Sequence, residues 1–385
     1  MKKIIFGNLI TLTLIFQACS NDSDTFDIIE KTDKLTKSSD NSKPTNEFDR
    51  SSMLSFWADS IIIPSMISFE NELNTFNENA IEFTANPNVN NLVLLRAQWM
   101  TTYKKWQHIE MFDLGVAEEI YFKNRMNIFP ANVTRIENNV KNQEFNLDES
   151  LNFAAQGFTA LDYLLFGVEQ EDDAILIKYS DTSLNYGDYL IQVTAKMQAL
   201  TILVIAQWNG DYRDRFVQST DNTATSSINM MLNNFVYYYE KGYRTNKFGI
   251  PAGVFSGGPL PDRIEAYHGE IYSKVLSLEA TTAIENFFNG IAYDDPDTSG
   301  PSIKDYLDFL ESDTDEKLSE RINKKLQGSR VKINELNSNF KKQIEDNNTS
   351  MLLTYDAIQS AVTLFKVDML QKLNVSVDYV DADGD

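Results

Sequence analysis

The sequence predicts an all-α protein whose helices pack as two bundles in one body. Apolar residues recur at steps of three and four along most of the chain, which is the period of one face of an α-helix. No stretch of useful length alternates polar and apolar residues as a half-buried strand does. The 385 residues are 42% hydrophobic and include 24 Phe, 17 Tyr and 4 Trp, enough for a large core.

The chain is strongly acidic. Its 34 Lys and Arg against 56 Asp and Glu give a formal net charge of −22. A nucleic-acid partner needs a basic footprint, so this composition argues against one. An acidic surface suits either cation retention or plain solubility, and plain solubility is the simpler interpretation.

The start of the chain has the pattern of a bacterial lipoprotein signal peptide. Lys2 and Lys3 supply positive charge, an apolar run follows over 4–16, and the single cysteine of the chain is Cys19. The apolar run is too short to span a membrane in a mature protein. Cys19 lies where lipoprotein signal peptidase would cut and a lipid would be attached. We therefore expect residues 1–19 to be a signal peptide and the mature protein to be anchored through Cys19 to the outer membrane, facing the periplasm or the cell surface.

A flexible tether is expected over 20–47, because this segment is rich in Ser, Asp, Asn, Thr and Lys and poor in large apolar residues. The first helical bundle is expected over 48–168. Its first long helix should end at the turn 86–88, and Pro64 should either kink it or mark its first turn. The apolar stripe of that helix consists of Ile62, Met66, Phe69, Leu73 and Phe76.

Two glycines, Gly157 and Gly167, bracket a short, mostly apolar segment with the character of one helix. Thr159 and Asp162 are three residues apart and share a face of that helix, on which they are the only small polar pair. The pair is therefore a candidate wall of a binding site. The alternative is that Thr159 bonds to its own backbone and Asp162 faces solvent.

The second bundle is expected over 185–385, after an acidic connector at 169–173. The Gly- and Pro-rich segment 249–261 should be an ordered loop, and the acidic turn 294–300 is interpreted as a solvated loop rather than a calcium site. Three apolar stripes with helical period support this bundle. They are Leu190, Val193, Met197, Leu200 and Val204; Ile228, Met231, Phe235 and Tyr238; and Tyr355, Ile358, Val362, Phe365, Met369 and Leu373.

These segments together resemble the imelysin-like family (M75, insulin-cleaving membrane protease). That family has a signature Gly-x-His-x-x-Glu followed by a run similar to Tyr-Leu-Leu-Phe-Gly, where this chain has GFTALD and then YLLFG over 157–167. Thr159 therefore stands at the His position and Asp162 at the Glu position. The resemblance covers roughly residues 50–385. It also includes Arg96, Trp99, Trp106, Glu110 and Gly115, the segment 249–253 ahead of Glu265, and the acidic tail with Asp381, Asp383 and Asp385.

The resemblance implies binding and uptake of metal, chiefly iron, at the bacterial envelope. We expect a lipid-anchored, non-catalytic binding protein for a metal ion or small ligand, with an envelope uptake partner and a pocket lined by Glu110, Thr159, Asp162 and Glu265. Thr in place of His removes a nitrogen donor, whereas Asp in place of Glu keeps a carboxylate. Carboxylates from Asp162, Glu110 and Glu265 would suit a hard cation such as iron(III), calcium or manganese. The alternative is a cavity that has lost its metal and kept its fold.

A metal-dependent peptidase of the M75 type is a second hypothesis, and a surface interaction module that binds no metal is a third. A catalytic zinc site needs a His-rich ligand set, usually with a Glu base. This chain has two histidines, His108 and His268, and no His-Glu-x-x-His motif. We expect His108 to be a surface or hydrogen-bonded side chain. His268 would replace the missing nitrogen only if the fold brings it to Thr159, and no catalytic residue is assigned.

Overall fold

A computed structural model describes residues 47–313 and 315–378 of the chain. Within those ranges every regular element is a helix, and one isolated β-bridge joins Ile291 to Ser299. The all-α prediction is therefore confirmed. The signal peptide with Cys19, nearly all of the predicted tether and the acidic tail with Asp381, Asp383 and Asp385 lie outside the described residues.

The α-helices fall into a first group up to the predicted connector and a second group after it. The first group is α1 (Arg50–Phe56), α2 (Ile63–Ala85), α3 (Val89–Gln107), α4 (Val116–Glu119), α5 (Phe122–Met126), α6 (Val133–Asn142), α7 (Gly157–Phe166) and α8 (Asp172–Ser180). The second group is α9 (Tyr186–Gln207), α10 (Arg213–Gln218), α11 (Ser227–Tyr237), α12 (Ile250–Ala252), α13 (Ser273–Asn289), α14 (Ile303–Leu310), α15 (Leu318–Glu335), α16 (Phe340–Thr363) and α17 (Leu370–Lys372).

Shorter helical pieces join several of these helices. Four are π-helical: Trp57–Ile62, Trp208–Tyr212, Tyr238–Gly249 and Leu364–Met369. Three are 3₁₀-helical: Ser150–Ala155, Thr182–Leu184 and Pro261–Arg263. The π-helical turn Trp57–Ile62 leads directly into α2, whose first turn contains Pro64. Proline lacks an N–H and crowds the carbonyl of the preceding turn, so a widened turn at this point keeps the helix continuous.

The predicted apolar stripes form the core. All residues of the stripe on the first long helix and of the three later stripes are buried, as the helical period predicted. Helix α2 packs against α3 and α9, α15 packs against α16, and α13 contacts both α3 and α15. Residues Phe48–Asp385 therefore form one compact unit. The expected boundary between two bundles after residue 168 stays a prediction, and α8 occupies most of the segment expected to connect them.

Candidate functional site

Helix α7 is the signature helix, and it is buried along almost its whole length. Gly157 opens it with φ +76°, where a β-carbon would collide with the carbonyl oxygen of Met126, so this position requires glycine. Two side chains of α3 tie the helix down. Trp99 Nε1 donates to the Phe158 carbonyl at 3.3 Å, and the Arg96 guanidinium donates to the Leu165 carbonyl at 2.7 and 2.9 Å.

Both polar residues of the signature helix make long-range hydrogen bonds. Thr159 Oγ1 donates to the Ile128 carbonyl at 2.6 Å, not to the backbone of its own helix. The Asp162 carboxylate is 2% exposed and accepts hydrogen bonds from the backbone N–H groups of His268 and Gly269, each at 2.8 Å. The alternative of a self-bonded Thr159 and a solvent-facing Asp162 is therefore wrong. Burial raises the pKa of Asp162 to about 7, although the two backbone hydrogen bonds act to lower it.

The structure brings His268 to the signature pair. Thr159, Asp162 and His268 line one cavity of about 730 Å³. The His268 ring packs edge-on against Tyr163 and Tyr267 at centroid distances of 5.2 and 5.0 Å. Burial, helped by the charge of Lys341, lowers the pKa of His268 to about 4, so its imidazole is neutral at physiological pH. A neutral imidazole nitrogen therefore shares the cavity in which Thr159 replaces the signature histidine.

Glu265 lies deeper than the other predicted site residues and is held in a buried ion pair. It is 2% exposed and lies 2.6 Å from the ammonium of Lys247, which is 1% exposed. Its second oxygen accepts from the amides of Gln107 at 3.1 Å and Asn127 at 2.9 Å. The segment around Glu265 forms turns after the 3₁₀-helical piece Pro261–Arg263, and not the Glu-containing helix of the family pattern. Glu265 acts here as an internal anchor of the wall.

Glu110 belongs to a second, smaller cavity of about 300 Å³. It follows the end of α3 and is half-buried. Asn127 Nδ2 donates weakly to its Oε1 at 3.4 Å, whereas its Oε2 is buried with no hydrogen-bond partner. Burial is the main cause that raises the pKa of Glu110 to about 7, since the nearby Lys247 charge is shared with Glu265.

The four predicted pocket residues are thus divided among three places. Thr159 and Asp162 line the larger cavity, Glu110 lines the smaller one, and Glu265 is buried beside Lys247. Ile128 and Phe129 line both cavities, so they form the partition. Among residues 47–313 and 315–378, no group of three or more His, Cys, Asp or Glu side chains is arranged to hold a metal ion. His108 lies elsewhere and bonds Glu279 at 2.8 Å, as expected of a hydrogen-bonded histidine.

The model of the Imelysin family (Peptidase M75) matches residues 63–366, which is most of the chain. The protein belongs to the imelysin family. The match includes the whole signature helix, with Thr159 and Asp162 at the altered positions, as well as Glu110 and Glu265. No curated protein sequence matches this imelysin-family chain.

Two solved structures share the fold of this imelysin-family protein. A putative iron-regulated protein A precursor from Parabacteroides distasonis is 16% identical, with a TM-score of 0.68. An imelysin-like protein from Psychrobacter arcticum is 15% identical, with a TM-score of 0.59. Each comparison covers 86% of this chain and 97% of the other. At this identity the likeness shows the fold alone.

Sequence reasoning missed Lys247 and the tyrosines around the smaller cavity of this imelysin-family protein. Lys247 lies in a polar stretch that gives no sign of burial, and its partner Glu265 is 18 positions away. His268 was recognised as a possible replacement for the signature histidine, but its sequence position gave no evidence of proximity to Thr159.

Proposed function

We propose that this imelysin-family protein is a lipid-anchored binding protein of the bacterial envelope that serves metal uptake, chiefly of iron, and does not hydrolyse peptides. The signal-peptide pattern and Cys19 support an outer membrane lipoprotein that faces the periplasm or the cell surface. Family membership and the name of the Parabacteroides relative, a putative iron-regulated protein, support the link to iron.

The observation that carries this proposal is the meeting of Asp162, Thr159 and His268 in the larger cavity. The His268 ring supplies a nitrogen donor in place of the one that Thr159 lacks. Each Asp162 oxygen accepts one backbone hydrogen bond and keeps a further lone pair. One imidazole and one carboxylate are fewer protein ligands than a catalytic zinc site has. We therefore expect the cargo to be a metal complex that brings further ligands of its own.

Calorimetric titration tests the proposal on the purified protein, with iron(III) citrate, iron(II), calcium and zinc as separate titrants. We expect saturable one-site binding of iron(III) citrate. Asp162→Asn and His268→Gln should each weaken it by roughly tenfold. His108→Gln is the matched control, because that histidine bonds Glu279 outside the cavity. Thr159→His should strengthen binding, because it restores a nitrogen donor beside Asp162.

Flat heats with all four titrants would contradict the metal proposal and favour an interaction module that binds no metal. The peptidase hypothesis is separated by a cleavage assay on a denatured protein substrate. Hydrolysis that EDTA abolishes, and that Asp162→Asn also abolishes, would establish the M75-type alternative in place of the binding protein.

A further inference from the structure

The smaller cavity is separated from the signature pair by Ile128 and Phe129 and has walls from both halves of the chain. One wall is the segment after α3 with Glu110 and Asp113, and the opposite wall is the π-helical segment with Tyr238. Its volume of about 300 Å³ lies at the lower end of the range for small-molecule sites.

Three polar atoms in this wall are buried and have no hydrogen-bond partner. They are Glu110 Oε2, Asp113 Oδ1 and the hydroxyl of Tyr238. Tyr238 is only 4% exposed, so its hydroxyl has little access to bulk water. Buried polar atoms in native proteins nearly always have partners, because an unsatisfied one loses its hydration without compensation. Three such atoms around one cavity indicate that a ligand supplies the missing partners.

The charges around the cavity show which partner is missing. Asp113 has its own ammonium, Lys123, at 2.7 Å, and Glu265 has Lys247 at 2.6 Å. Glu110 is the third carboxylate and has no ammonium of its own, which agrees with its raised pKa. A cation that donates hydrogen bonds would complete this set.

The open end of the cavity carries positive charge. Arg263 and Lys241 line the cavity, and the Arg263 side chain is 46% exposed beside Asp262. A ligand with an ammonium group near Glu110 would therefore present its other end to a guanidinium, which favours a carboxylate. Phe129 and Tyr237 supply aromatic surface between the two ends.

We propose that the smaller cavity binds a free amino acid, with its ammonium group on Glu110 Oε2 and the Tyr238 hydroxyl and its carboxylate toward Arg263. This site is separate from the larger cavity and does not depend on metal binding there.

The test uses the purified full chain and the standard L-amino acids, one at a time, first by the shift in thermal unfolding and then by calorimetry. We expect at least one amino acid to bind one-to-one. Glu110→Gln and Tyr238→Phe should each weaken that binding by roughly tenfold, the scale of a lost hydrogen bond to a charged group. The corresponding acid without the amino group should bind at least as weakly.

Tyr239→Phe is the matched control for Tyr238→Phe. Tyr239 is the next residue and is also buried, but its hydroxyl donates to the Ile358 carbonyl at 3.0 Å. We expect Tyr239→Phe to lower stability without changing amino-acid affinity. The proposal is overturned if no amino acid binds, if Glu110→Gln and Tyr238→Phe bind as wild type does, or if the acid without its amino group binds equally well. His268→Gln should reduce iron(III) citrate binding only, so the two proposals fail separately.

Discussion

The buried pair of Lys247 and Glu265 allows a sharp prediction about stability. Lys247→Met removes the ammonium and leaves a carboxylate in a site that is 2% exposed. Removing one partner of a buried pair typically costs about 3 to 5 kcal/mol, because the remaining charge is neither solvated nor balanced. Glu265 keeps the amide hydrogen bonds from Gln107 and Asn127, so we expect the lower end, about 3 kcal/mol.

Urea unfolding followed by tryptophan fluorescence measures this loss, provided that the slope of free energy against urea is the same in both proteins. The double variant Lys247→Met/Glu265→Gln should recover most of the stability, because no unpaired charge is left in the core. Lys332→Met is the control. Its partner Glu335 lies at 2.8 Å, both side chains are well exposed, and the expected change is below about 0.5 kcal/mol. A loss under about 1 kcal/mol in Lys247→Met, or a double variant as unstable as the single one, would refute the reasoning.

Three further predictions concern the site and its supports. The folded-state pKa of Glu110, about 7, lies above its usual 4.5, so the folded state retains a proton that the unfolded chain releases between these pH values. Stability should therefore fall as pH rises from 4.5 to 7, and Glu110→Gln should be the more stable form at pH 8 by about 2 kcal/mol but not at pH 4, by urea unfolding. Gly157→Ala should cost at least about 2 kcal/mol because of its positive φ and the Met126 carbonyl, whereas Gly328→Ala, within α15 and with open space around it, should gain about 0.5 to 1 kcal/mol in the same assay. Thr159→Val keeps the side-chain shape but leaves the Ile128 carbonyl without its hydroxyl donor, and we expect a loss of about 1 kcal/mol by thermal unfolding.

The fold was predictable because helical period is a local property of the sequence. The stripe from Ile62 to Phe76 is buried as expected, since each apolar residue needed only the regular turn of its own helix to face the core. The signature helix was also found from local features, two glycines around an apolar run. Its role as a site wall followed from the spacing of Thr159 and Asp162.

The partners of the site residues were not predictable, because they come from distant segments. Asp162 is bonded to backbone N–H groups 106 and 107 positions away, and no side-chain pattern reports on a backbone donor. Glu110 and Glu265 look equivalent in the sequence as conserved-looking acids after helices, yet one faces a cavity and the other has an ammonium. The difference is set by where Lys247 lies, and its burial depends on packing across the whole body.

The π-helical stretch Tyr238–Gly249 has a consequence for how this region tolerates insertions and deletions. An α-helix turns by about 100° per residue, so positions 238 and 247 would point to opposite sides of a regular helix. With bonds from each residue to the fifth one along, the turn is roughly 80° per residue, and the same two positions come round to one side. The tyrosine hydroxyl and the lysine ammonium can then both approach the acids of the opposite wall. Shortening the stretch by one residue to restore regular α-helix would improve the local backbone and yet rotate the lysine out of register with its carboxylate.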